Sequence, residues 1–243
     1  LWRNKQFVWV PLVLILIAIM DSVTYYFLPE IMELSGGLPE GAVFEVPQLQ
    51  AHESILLGLE ALAFTGTLII ALISMGTIAS ERKSGVAEII LTKPIKAVNY
   101  ITAKWTALVI ISLLSLFVAL VANWYYSNIL FGEVAFTVIL TTFFFYLFWF
   151  ILIVSIAIFF NSFLRKPGIV FALTAIVIFL MSIINTLFGH KLTYFPNQLT
   201  NHIQTFLLAN KVPEELFMTT GIMVALIVFL LSCATSIFKY KKL

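Results

Sequence analysis

In a chain of 243 residues of which only 11% are charged, the stretch SERKSGVAEIILTKPIK, Ser80 to Lys96, gathers Glu81, Arg82, Lys83, Glu88, Lys93 and Lys96. Acids and bases this close can pair, hold an anionic surface or dock a partner, but they lack the spacing of a nucleophile with its base. On a helix turning about 100° per residue, Glu81, Gly85 and Glu88 stand at i, i+4 and i+7 on one face, while Val86, Ile89 and Ile90 share another. The pattern predicts an amphipathic helix with a cavity-making glycine on its polar face. Pro94 stops that helix, because a proline pushes the residue before it, Lys93, out of the α region. Arg82, Lys83, Lys93 and Lys96 equally suit a helix lying over lipid phosphates. The residues alone leave both readings open.

Two other acids, Asp21 and Glu60, interrupt long apolar runs. At 1.5 Å per residue, Asp21 lies about 21 Å into the first run and Glu60 about 8 Å into the second, which predicts a similar depth in the outer third of a membrane. An intramembrane carboxylate is a candidate for a substrate or ion pathway. The alternative is an acid close enough to the interface to be hydrated. The aromatic run from Phe143 to Phe150 covers every side of a helix, so lipid contact and packing account for it more simply than stacking on a substrate.

Catalytic sets are missing. There is no G-x-x-x-x-G-K-[ST] to cradle phosphates and no H-E-x-x-H for zinc. His52, His190 and His202 all fall in loops on one side, so no intramembrane haem pair is available. Glu214 and Glu215 after Pro213 suit the positive end of a helix dipole. No TVGYG-like filter occurs, and Cys233 is the single cysteine. The expectation is a chain with no catalytic residue, no metal and no cofactor of its own.

The elements that must position these residues are transmembrane helices. With 61% hydrophobic residues and a mean hydropathy of +1.06, the composition departs from that of soluble domains. Six apolar runs reach the length of about 20 residues that a crossing needs: about 7–28, 55–79, 101–122, 134–160, 168–188 and 216–238. They are continuous rather than alternating, which excludes a β-barrel. The first is too long for a signal-peptide core and has no small-residue cleavage site, so it is read as a retained span. The expected fold is an all-α integral membrane bundle, one domain over 1–243.

Twelve of the fourteen Lys and Arg fall on one side of these spans, with only Lys191 and Lys211 on the other. The positive-inside rule then places both termini and the Glu81 segment in the cytoplasm of a plasma-membrane protein. The first outer loop, from about Pro29 to Ser54, has three prolines and three glycines and reads as irregular chain with a short helix leading into span two. The third, about Gly189 to Pro213, carries an amphipathic helix near Leu199 to Leu208, at or dipping into the outer interface.

Glu81, Arg82, Gly85, Glu88, Ile90, Pro94 and Lys104 match the loop motif of a family, E-[R/x]-x-x-G-[T/x]-x-E-x-[L/I]-[L/x]-x-x-P followed ten residues on by a lysine. The chain resembles the permease subunits of type-2 ATP-binding cassette (ABC) exporters. Ala103 stands where that family usually has Gly, and Val86-Ala87 replaces the common Thr-Leu. The resemblance implies that the segment is a coupling helix docking into a separate cassette ATPase, with Glu81 at the contact and Gly85 allowing close approach. It also implies two ATPase subunits carrying ATP and Mg, a second permease, identical or homologous, and an outer helix that helps close the pathway. The basic residues flanking Trp2 would be the tail of an interfacial connecting helix. Three rivals remain: a secondary transporter or channel working without an ATPase, disfavoured because no span is Gly/Pro-interrupted; a membrane enzyme; and a scaffold.

Overall fold

The computed structural model describes residues 5–34, 49–86 and 96–240. Trp2, Glu88, Pro94 and the end of the chain therefore lie outside the described residues. Every regular element among those described is helical: α1 Gln6–Leu34, α2 Ala51–Ala61, a π-helical turn Leu62–Gly66, α3 Thr67–Ser74, α4 Ala79–Lys83, α5 Ala97–Phe131, α6 Phe136–Asn161, α7 Pro167–Phe188, a 3-10 turn Pro196–Gln198, α8 Leu199–Ala209 and α9 Glu214–Tyr240. Six stretches are long and apolar enough to span a membrane, with α2, the π-turn, α3 and α4 together forming the second.

Side-chain pairs fix the register. Ser22 of α1 bonds Ser54, and a Cβ on Gly58 would come within 2.3 Å of the Ala18 carbonyl, so spans one and two run antiparallel. Ser54 also meets Ser127, and the amide of Asn123 donates to the Ile55 carbonyl at 3.0 Å, which sets span three antiparallel to span two. Trp105 meets Ser155 and Trp124 meets Val134, so span four reverses again. Span six runs parallel to span four, because Phe145 packs on Phe217. This alternation puts Lys5, Arg82, Lys83, Lys104, Arg165, Lys166 and Lys239 at one end, the basic end, and Glu133, Lys191, Lys211, Glu214 and Glu215 at the far end.

Two spans outrun their expected ends. Helix α1 continues through Pro29 to Leu34, so the first loop begins later than its prolines suggest. Helix α5 reaches Phe131, nine residues past the expected limit at Ala122. The added length of α5 is held by span one, Tyr26 meeting Phe131 edge to face at 5.9 Å between ring centroids. The added length of α5 also carries Asn123 and Ser127, both buried, into the seam with span two. Small or hydrogen-bonding side chains at such a seam let helices approach closely where no hydrophobic force between them operates.

The fourth span is the centre of the bundle rather than its lipid-facing wall. Leu152 through Ile158 are all buried, as are Phe145, Tyr146, Trp149 and Phe150, while Phe144 is 54% exposed. Its aromatics are therefore mainly core. Helix α8 buries Leu199, Ile203, Phe206 and Leu207 and packs against α2, α6 and α9 at the far end. It is a cap seated on the bundle.

Candidate functional site

At the basic end, span two breaks. Helix α3 stops at Ser74, Met75 to Ile78 form turns, and α4 begins at Ala79. Such a break strands backbone groups in an apolar setting, where each costs free energy. Asn161, the last residue of α6, meets that need with one amide. Its Oδ1 accepts from Ile78 N at 3.2 Å and Ala79 N at 3.0 Å, while Nδ2 donates to the Ser74 carbonyl at 3.0 Å and its own Ala157 carbonyl at 2.9 Å. A single buried side chain thus fixes where α4 starts and how it is aimed.

Helix α4 presents Glu81 and Arg82 to the other spans. The Glu81 carboxylate accepts from Tyr100 Oη at 2.6 Å and forms an ion pair with Lys104. Both partners lie on α5 four residues apart, hence on one helical face. The pair is about a quarter exposed, so the Coulomb term alone contributes little, and the shared hydrogen bonds supply the geometry. Arg82 Nη1 donates to the Ser162 carbonyl at 2.6 Å, and its guanidinium lies 5.7 Å from the Phe238 ring centre. Phe238, near the end of α9, stacks on Tyr100 at 5.2 Å. Spans three, four and six all grip α4.

The helix ends at Lys83, and Gly85 follows with φ of 75°. That left-handed conformation is open to glycine and strained for other residues. One continuous helix carrying Glu81 and Gly85 on a polar face is therefore not what forms. Glu81 turns inward to α5, and Gly85 turns the chain. Among the described residues no atom lies within 4 Å of the position a Cβ would take on Gly85. Beside α4 a cavity of about 580 Å³ is lined by Gln6, Gly76, Thr77, Ser80, Lys104 and Pro167 among others.

Of the residues singled out from the sequence, Glu81, Arg82 and Lys104 come together. Asp21 and Glu60 do not. The register pairs residue 22 with 54 and 18 with 58, so Asp21 is level with 55 and Glu60 with 16, about 7.5 Å apart along the axis. Both are exposed, and their expected similar depth is not kept. Asn161, Ser162, Tyr100 and Phe238 were missed. The signal for Tyr100 was its i, i+4 spacing from Lys104; for Asn161 it was an amide closing an otherwise apolar run. Among the described residues no group of three His, Cys, Asp or Glu could hold a metal ion.

A family model for ABC-2 family transporter protein matches residues 54–241. The chain belongs to the ABC-2 transporter family. ABC-2 proteins are the membrane components of transporters that work with a cassette ATPase, and are not themselves that ATPase. The chain is also similar to the uncharacterized transmembrane protein YxlG of Bacillus subtilis (strain 168), 27% identical over 186 residues, 75% of this chain and 72% of that protein. The matched region holds the whole α4 cluster, from Glu81 to Phe238, and leaves out span one.

Proposed function

We propose that the protein is the permease subunit of an ABC exporter, moving substrate outward when separate ATPase subunits bind and hydrolyse ATP. The observation that carries this reading is the cluster around α4. A five-residue helix at the basic end is tied by Glu81 to span three, by Arg82 and Asn161 to span four, and through Phe238 to span six. Through these contacts a push on α4 is passed to three spans. In this reading the basic end faces the cytoplasm of a plasma-membrane protein, with both termini inside.

Two ATPase subunits, carrying the ATP and Mg, would serve a pair of permeases, identical or homologous, with the segment around Arg82, Gly85, Glu88 and Pro94 at the docking surface. The exposed acids Asp21 and Glu60 suit a pathway that takes the cationic part of an amphipathic cargo such as a peptide or antimicrobial. The test is co-purification of the chain with a cassette ATPase, followed by Glu81→Ala in the complex. Uncoupled hydrolysis or loss of docking is expected in that variant. Unchanged substrate-stimulated ATPase and unchanged export would overturn the coupling role.

A further inference from the structure

At the far end a second cavity, of about 110 Å³, lies under the cap helix. Its wall is built from four parts of the fold: Phe64 of the π-turn in span two, Trp149 in the central span, Ile178 and Ser182 of span five, and at the cap Asn197 of the 3-10 turn with Thr200 of α8. Among the described residues no member of the wall is ionisable. Trp149 is 4% exposed, yet its indole N–H, like the Asn197 side-chain carbonyl, has no hydrogen-bond partner among the described residues. A buried donor and a buried acceptor left open beside one cavity carry a free-energy cost that a polar guest removes.

The π-turn sharpens the point. Single π-helical turns inside α-helices gather at functional sites, and Thr67 holds this one by sharing its hydroxyl between the Ala63 and Phe64 carbonyls, both at 2.8 Å. The turn leaves Phe64 standing out at 56% exposure, and Ser182 opposite is exposed as well. The cavity therefore opens sideways between spans two and five. Its lining is mainly apolar, its buried open hydrogen-bonding groups are one donor and one acceptor, and among the described residues its lining has no charge to balance one on a guest.

We propose that this cavity binds a neutral amphiphile by its polar head, an amide or hydroxyl on an apolar chain. The oxygen of the head accepts from Trp149 Nε1, its N–H or O–H donates to Asn197 Oδ1, and the chain leaves past Phe64. Asn197 makes the match by turning its terminal amide, a soft torsion. A charged head is excluded, because burying a charge without a partner costs far more than a hydrogen bond returns.

The test is binding of octanamide to the full chain in lipid nanodiscs, with octylamine and octanoate as charged controls on the same tail and empty nanodiscs to subtract partition. Saturable binding of octanamide is expected, with both controls weaker by about tenfold or more. Trp149→Phe keeps the ring and deletes the donor, and is expected to weaken binding about tenfold, the worth of one hydrogen bond. Ser182→Phe, made at an exposed position and so mild for folding, fills the mouth and is expected to abolish binding. Equal binding by octylamine, or full binding by both variants, would overturn the proposal. A neutral lipid that co-purifies with the parent and not with Ser182→Phe identifies a membrane lipid as the natural guest; an unloaded parent that takes up octanamide points to a transported compound. Both outcomes support the site. No ATPase enters the assay, so its result stands apart from the fate of the coupling role.

Discussion

Asn161 Oδ1 stands 3.0 Å from the backbone nitrogen of Ala79, across 82 residues of sequence, and caps the helix that carries Glu81. The same amide reaches back to Ser74 on the other side of the break. Asn161→Leu strands Ile78 N–H and Ala79 N–H together and leaves the Ser74 carbonyl with Thr77 N–H alone. At about 1–3 kcal/mol for each buried group left unpaired, thermal unfolding in detergent is expected to show one of the largest losses of any single change. A melting temperature equal to the parent's would remove Asn161 from its place as the anchor of α4.

Glu81 holds Lys104 and Tyr100 at once. Glu81→Gln keeps the size and an acceptor for Tyr100 but loses the charge, whereas Glu81→Ala loses both. Reconstituted with its ATPase, the protein is expected to lose ATP-driven transport about fivefold or more with Ala and less with Gln, the range of a coupling energy of roughly 1–3 kcal/mol. Equal transport in all three proteins would mean that the cluster is a brace and transmits nothing.

Phe238 joins Arg82 and Tyr100 from the far side. A double-mutant cycle with Arg82→Met and Phe238→Leu, read by thermal stability, is expected to return an interaction energy of about 0.5–1 kcal/mol. Additive effects would show that guanidinium and ring are neighbours without attraction.

At Gly58 the seam of spans one, two and three has no spare volume. A Cβ there would lie 2.3 Å from both the Ala18 carbonyl and the Asn123 amide nitrogen. Gly58→Val is expected to cost about 1–3 kcal/mol from overpacking and to lower the yield of folded protein, seen as an early, broadened peak in size-exclusion chromatography. Gly58→Ser with parent-like behaviour would indicate that the seam opens readily.

Gly85 acts through its backbone. With φ at 75°, any side chain costs about 1–2 kcal/mol in the left-handed region, although none of the described residues crowds the position itself. Gly85→Ala is therefore expected to leave global melting nearly unchanged, since the turn lies at the edge of the bundle, and to reduce ATPase docking measured by co-purification. Docking at parent strength would place the contact elsewhere.

The sequence by itself determined six crossings, their order, and the gathering of basic residues at one end, because a span must be about 20 apolar residues long and charge is costly inside it. It also singled out Glu81, Arg82 and Lys104, whose charge stands out against an apolar background. Tertiary structure alone decided what those charges face. Hydropathy has no term for Asn161 reaching across to Ala79, for Pro29 staying helical, or for a π-turn at Leu62–Gly66, since each depends on a neighbour that supplies a hydrogen bond or a packing surface. The central place of span four was hidden for the same reason. In lipid an apolar run reads alike whether it touches tails or other helices, and only the meeting of Phe145 with Phe217 and of Tyr146 with the Leu59 carbonyl shows which it is.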